Sequence, residues 1–116
     1  MTVDENRIVT KRSIEAAYTL LRGMKPFCDW KLPVKIEAQV SNDIAMFGCF
    51  EDPNTITISS GRVWTAQSLL ETTAHEMIHL YQYKQKRLTD TPHDAFFMAC
   101  AKEVCEKLGV NNREDF

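Results

Sequence analysis

The sequence predicts an α+β domain in which an N-terminal helix is followed by a small three-stranded sheet and then by two more helices. Hydrophobic residues recur at helical spacing near both ends of the chain, whereas residues 34–60 alternate between apolar and polar side chains, as strands do. The chain has 116 residues, without internal repeats or a linker rich in Pro, Gly or Ser. We therefore expect a single domain over residues 1–116.

The composition is that of a globular protein. Hydrophobic residues make up 44% and charged residues 26% of the chain, which suits a compact core with a solvated surface. With 14 basic and 16 acidic side chains, the net charge of −2 lacks the strong positive field of dedicated nucleic-acid binders. The acidic N-terminus does not resemble a signal peptide, and the longest apolar run, residues 95–101, is too short to cross a bilayer. We expect a cytoplasmic protein that does not associate with membranes.

The four cysteines predict neither disulfides nor a metal site. They form no CxxC pair and follow no regular spacing: Cys28, Cys49, Cys100 and Cys105. Thiols stay reduced in the cytoplasm, and free cysteines are usually buried as small apolar side chains. We expect four buried free thiols.

The first helix is predicted from about Glu5 to Met24. Thr2 and Glu5 have the spacing of a capping box, and Pro26 follows the predicted C-terminus. Apolar residues recur within this segment at helical spacing: Ile14, Ala17, Leu21 and Met24. This pattern predicts an amphipathic helix that packs one face on the core.

Three strands are predicted next, and the last two are expected to form a hairpin around residues 51–54. Their predicted bounds are Ile36 to Val40, Ala45 to Phe50 and Thr55 to Ser59. In the third strand, Thr57 and Ser59 point away from the two isoleucines. This strand therefore has one polar face, and we expect it to lie at an exposed edge of the sheet.

The pattern His-Glu-x-x-His occupies residues 75–79, within a long helix predicted from Ala66 to Arg87 with Thr65 as N-cap. Residues four apart lie about 40° from each other around a helix, so the two histidines can bind one ion. Glu76 lies beside them. The pattern predicts half of a catalytic zinc site, since such zinc usually has three protein ligands and one open position.

His93 is the expected third ligand, because the chain contains only three histidines. It lies in the first turn of a helix that we predict from the N-cap Thr91 and the first helical residue Pro92 to Gly109. Four acidic residues are the competing candidates for a third ligand or for a supporting role: Asp90, Asp94, Glu103 and Glu106.

Three neutral imidazoles leave a zinc ion with its full charge, which lowers the pKa of its water toward ~7. Glu76 is then placed to accept the proton of the attacking water and to pass it to the leaving amine. The residues predict Glu-assisted hydrolysis of an amide bond, with Zn²⁺ as the cofactor and Glu76 as the catalytic acid and base. Tyr81, Tyr83 and Arg113 are candidates for oxyanion stabilisation, but Tyr81 lies on the apolar face of its helix, and nothing in the sequence selects between the other two.

The active-site helix together with the segment His93-Asp94-Ala95-Phe96-Phe97 resembles the SprT-like (Spartan-related) metalloproteases. In that family HExxH is followed by a third histidine in the context His-Gly-x-x-Phe, and Asp94 stands here in place of the glycine. The resemblance implies a minimal zincin-like domain, equivalent to the family's catalytic domain only. Its zinc ligands would be His75, His79 and His93, with Glu76 as the catalytic residue.

The resemblance further implies cleavage of protein or peptide substrates, notably proteins crosslinked to DNA, with DNA as activator or scaffold. It also implies that Thr55 to Ser60 is an edge strand on which an extended peptide pairs; an ordinary solvent-facing edge is the alternative. Two other functions stay open, namely a zinc-containing adaptor that binds DNA or protein without cutting, and a helical domain without metal. The intact Glu76 favours the protease over the adaptor.

Overall fold

The computed structural model describes residues 8–109 and confirms the predicted α+β class. An N-terminal helix, a three-stranded sheet and two further helices follow one another in the predicted order. The elements are α1 (Lys11–Arg22), a short 3₁₀ turn (Phe27–Asp29), β1 (Glu37–Ser41), β2 (Gly48–Glu51), β3 (Thr55–Ser59), α2 (Ala66–Lys84) and α3 (Ala95–Leu108). No helix within residues 8–109 is long and apolar enough to cross a membrane.

The sheet is mixed, with strand order β1-β3-β2. β2 and β3 pair antiparallel, which confirms the predicted hairpin, and β1 lies parallel to β3 on its other side. The prediction that Thr55 to Ser60 forms an exposed edge is therefore wrong, because β3 lies in the middle of the sheet. Its polar side chains are also buried: Ser59 is fully enclosed and donates its hydroxyl to the carbonyl of Asp43 at 2.6 Å. The edges of the sheet are β1 and β2.

Helix α1 begins at Lys11, so the predicted start at Glu5 is wrong. Thr10 is the N-cap: its hydroxyl accepts from the Ser13 amide at 3.0 Å, and the Ser13 hydroxyl accepts from the Thr10 amide at 2.9 Å. This reciprocal pair satisfies backbone donors that a helix start leaves free. The capping box predicted at Thr2 and Glu5 lies outside the described residues.

Helix α2 is the central element of the domain. Thr65 caps it as predicted, accepting from the amide of Ser68 at 3.0 Å, but the helix ends at Lys84 rather than at Arg87. It contacts α1, β2, β3 and α3. Its buried residues consequently lie on nearly all of its faces.

Helix α3 begins one turn later than predicted. Its N-cap is Asp94, whose carboxylate accepts from the amide of Phe97 at 3.0 Å, and the predicted N-cap Thr91 lies in the preceding connection. The helix ends at Gly109 as expected, with that glycine in the left-handed conformation at φ +75°. His93 is therefore the residue before the N-cap, not part of the first turn.

All four cysteines are free, as predicted. Cys100 and Cys105 are buried on α3, and Cys49 is partly buried on β2. Cys28 is exposed, so the expectation of four buried thiols is wrong at this position. Cys28 lies in the short 3₁₀ turn between α1 and the sheet. In this turn the side chain of the neighbouring Phe27 is the one that packs into the core.

Candidate metal centre

Three imidazole rings converge beside the second half of α2. His75 and His79 lie on successive turns of this helix, and His93 reaches them from the connection between α2 and α3. The Nε2 atom of His93 is 3.2 Å from the Nε2 of His75 and also 3.2 Å from the Nε2 of His79. Within residues 8–109, the acidic alternatives Asp90, Asp94, Glu103 and Glu106 do not belong to this cluster.

The spacing of these nitrogens fits a zinc ion. Two nitrogens bound to tetrahedral zinc at about 2.0–2.1 Å lie roughly 3.3 Å from each other, close to the two observed separations of 3.2 Å. Imidazole donors without thiolates or carboxylates suit zinc, and three protein ligands leave one coordination position for water or substrate. The donor set therefore has the composition of a catalytic zinc site rather than a closed structural one.

Phe97 forms the floor beneath the three rings. Its side chain is buried in the core, and its ring stacks on His79 at 4.8 Å between centroids with an angle of 23°. The rings of His75 and His93 meet the same phenyl group at 5.0 and 4.7 Å. Because Phe97 is in the first turn of α3, it packs that helix directly against the histidines of α2. The imidazoles are therefore held by apolar packing from below.

Gln82 contacts both parts of the cluster. It is fully buried on α2, one turn after His79. Its Oε1 atom lies 2.6 Å from Nδ1 of His79, and its Nε2 atom donates to the carbonyl of Pro92 at 2.7 Å. Burial lowers the pKa of His79, the hydrogen bond with Gln82 opposes this shift, and the neighbouring His93 adds to it. A lowered pKa keeps the imidazole neutral, as a metal ligand must be.

Glu76 lies beside the cluster and is also buried, with 4% of its surface exposed. Burial raises the pKa of this carboxyl from 4.5 to about 8, because the ionised form loses its hydration. A group with this pKa can both hold and release a proton near neutral pH. Raised pKa values of this kind are common among catalytic acids and bases.

The histidines and Glu76 form one wall of an open cavity of about 360 Å³. Strand β2 also lines the cavity, and the connection before α3 contributes Leu88, Thr89 and Pro92. Gly48 lets β2 lie close to both β3 and α2, since a Cβ atom there would lie 2.7 Å from the carbonyl of Thr57 on β3 and 3.1 Å from the methyl group of Thr72 on α2. The cavity therefore lies between an edge strand and the proposed ligands.

A scan against protein-family models matches the SprT-like family over residues 17–114. The chain belongs to the SprT-like family. The matched region includes the three histidines and Glu76, and members of this family are generally zinc metalloproteases. Comparisons with curated proteins and with solved structures found no match.

Two features of this SprT-like domain were missed by reasoning from sequence. Gln82 was not singled out, although a polar residue three positions after a predicted ligand on the same helix is a signal for a supporting role. The strand that borders the cavity is β2, not β3. Neither Tyr81 nor Tyr83 lines the cavity, and Arg113 lies outside the described residues.

Proposed function

We propose that this chain is a zinc-dependent endopeptidase that hydrolyses protein or peptide substrates. The observation that carries the proposal is the convergence of three imidazole Nε2 atoms beside a buried carboxyl group, on a cavity bordered by a sheet edge. Membership of the SprT-like family supports the same chemistry.

The proposed ligands are His75, His79 and His93. A zinc ion held by them would supply a Lewis acid that activates water and polarises the carbonyl of the scissile bond. Glu76 performs the proton transfers: its carboxylate accepts a proton from the attacking water and delivers it to the leaving amine nitrogen. A cation held by the histidines would lower the pKa of the Glu76 carboxyl below the value of about 8 that burial alone gives, which would make the carboxylate form available at neutral pH.

Strand β2 is the proposed docking edge for an extended substrate. It pairs with β3 on one side only within the described sheet, and it lines the cavity on the side facing the histidines. The outward backbone groups of an edge strand can bind another extended chain by β-augmentation. The side chains that β2 and the connection contribute to the cavity are uncharged. Backbone pairing, rather than charge, is therefore the proposed basis of substrate binding.

The decisive experiment compares the wild type with Glu76→Gln on an unfolded protein such as casein, at matched zinc content. Both proteins should bind one zinc ion, and only the wild type should cleave, because an amide cannot accept the proton. Loss of a general base typically costs about 10²–10⁴-fold in rate. Glu106→Gln, which changes an exposed acid on α3, is the matched control and should cleave normally. An active Glu76→Gln protein would overturn the mechanism.

We extend the proposal to proteins crosslinked to DNA, on the basis of family membership alone. The same assay with a DNA-binding protein as substrate, with and without single-stranded DNA, tests this extension. Cleavage that requires both Glu76 and DNA would support it, whereas equal cleavage without DNA would contradict it. Zinc-loaded protein that binds DNA in a salt-dependent manner and cleaves nothing would instead favour the adaptor function.

A further inference from the structure

We propose that Gln82 is a positioning residue that fixes His79 in its metal-binding tautomer and holds the segment that carries His93. The inference rests on zinc binding by the three histidines, as proposed above, but not on peptidase activity. It concerns how the two parts of the site, one on α2 and one in the connection before α3, are held in position relative to each other.

The hydrogen-bond partners determine which way the amide of Gln82 points. The carbonyl oxygen of Pro92 can only accept, so the amide nitrogen of Gln82 must face it, at 2.7 Å. The amide oxygen then faces Nδ1 of His79, at 2.6 Å. Because that oxygen can also only accept, Nδ1 must carry the proton.

A proton on Nδ1 leaves Nε2 of a neutral imidazole with a free lone pair. In His79 this atom points into the cluster, 3.2 Å from Nε2 of His93. Gln82 therefore selects the tautomer that can bind a metal through Nε2. Metal-binding histidines commonly donate their other ring N–H to such a partner, which orients the ring and raises its basicity.

Gln82 also ties both ends of the connection between α2 and α3. Its backbone carbonyl accepts from the amide of Arg87 at 2.7 Å, just after the end of α2. Its side chain binds the carbonyl of Pro92, the residue directly before His93. Most of the connection is exposed, and so is His93. Two hydrogen bonds from one buried residue thus hold an exposed ligand near the two ligands of α2.

Glutamine is suited to this task because it offers a donor and an acceptor on one planar group. Ionised glutamate could accept from His79 but could not donate to Pro92. Methionine has a side chain of nearly the same length and could form neither bond. Removing either bond at a site with no solvent exposure leaves a buried polar group without a partner. These differences make the two bonds separable by substitution.

The test measures zinc affinity by competition with a chelating indicator, using the full chain of each variant. Gln82→Met should weaken zinc binding by roughly 10–100-fold, the usual effect of losing such a supporting partner. Gln82→Glu, which keeps the bond to His79 and loses the bond to Pro92, should weaken it less. Ile14→Val is the control for a general loss of core packing, since Ile14 is fully buried on α1, away from the site; it should bind zinc like the wild type.

A second measurement is independent of zinc and of catalysis. Nitrogen NMR of the zinc-free wild type should show His79 protonated on Nδ1, Gln82→Glu should retain this form, and Gln82→Met should show a mixture of tautomers. Protonation of the wild-type His79 on Nε2 would overturn the proposal even if no variant folded. Unchanged zinc affinity and an unchanged tautomer in Gln82→Met would also overturn it. Wild-type protein that binds zinc without cleaving any substrate would contradict the proposed function and leave this inference intact.

Discussion

The two parts of the candidate metal centre are built in different ways. His75 and His79 lie on α2, which other elements surround, and the periodicity of that helix alone sets their separation. His93 is exposed and lies in a connection outside any helix or strand, so its place depends on Phe97, on Gln82 and on the cap at Asp94. The α2 part is therefore fixed by local structure, whereas the His93 part is fixed by tertiary contacts.

The largest expected effect is on the pH dependence of stability, and it compares a buried acid with an exposed one. Glu76 on α2 is buried with a pKa of about 8, against an ordinary value of 4.5, while Glu106 on α3 is exposed. Between about pH 4.5 and 8 the folded, metal-free protein keeps a proton on Glu76 that the unfolded chain has lost. The free energy of unfolding should therefore fall as pH rises through this window, by at most about 5 kcal/mol.

Urea denaturation of metal-free protein at several pH values measures this effect. The stability of the wild type relative to Glu76→Gln should decline from pH 4.5 to 8 and then level off. The stability relative to Glu106→Gln should stay flat. Equal pH profiles for the wild type and Glu76→Gln would show that water reaches the carboxyl and that the α2 part is less enclosed than described.

Removal of one ligand from each part should separate zinc binding from folding. His79→Ala and His93→Ala should both weaken zinc binding by more than the roughly 100-fold that loss of a supporting partner costs. Without zinc, the two substitutions should differ in their effect on the stability of the fold. His79→Ala leaves the amide oxygen of buried Gln82 unpaired, which should cost about 1–3 kcal/mol of stability, whereas His93→Ala should stay within about 0.5 kcal/mol.

Thermal unfolding of the metal-free variants, followed by circular dichroism, measures this difference. If His93→Ala destabilised the metal-free protein as much as His79→Ala does, the contrast between a locally fixed part and a tertiary part would be wrong. Zinc content after gel filtration provides the second readout.

Glycine substitutions test the close packing of β2 against its neighbours β3 and α2. Gly48→Ala would place a Cβ atom 2.7 Å from the carbonyl of Thr57, so the strand must shift, at a cost of about 1–3 kcal/mol. Gly23→Ala, after α1, is the control, because its Cβ atom would lie at an ordinary 3.6 Å from the nearest carbonyl. Cleavage should fall in Gly48→Ala while zinc binding persists. Normal cleavage would remove β2 from the proposed substrate site.

The smallest expected effect is a difference in the rate at which two thiols are alkylated. Cys28 is exposed and should be alkylated first, whereas Cys100 is buried on α3 and burial raises its pKa to about 11. Mass spectrometry after brief treatment with iodoacetamide should find label on Cys28 well before Cys100. Early labelling of Cys100 would show that α3, the helix that carries Phe97, opens readily.

The predictability of each feature follows from the range of the interactions that create it. His75, Glu76 and His79 were predictable because helical spacing is a local property. His93 was predictable because it was the only remaining histidine, although its position before the helix was not. Asp94 is the N-cap of α3 and Thr91 is not. Where a helix starts depends on which of several possible capping residues the tertiary structure can use.

The order of the strands was not accessible in the same way. An alternating pattern identifies a strand, but it does not tell which neighbours the strand pairs with. The sequence of β3 has one polar face, yet the hydroxyl of Ser59 forms a hydrogen bond inside the fold, and β1 pairs with the edge of β3 that β2 leaves open. The supporting role of Gln82 likewise required knowing that Pro92 lies within reach of its amide.

The phenyl ring of Phe97 beneath the three imidazoles connects the candidate metal centre to the hydrophobic core. All three imidazole rings contact this one side chain, and Phe97 itself is buried in the core. Any change in core packing that moves Phe97 would therefore move the three proposed ligands together. The packing of α3 is in this sense part of the support of the proposed zinc site.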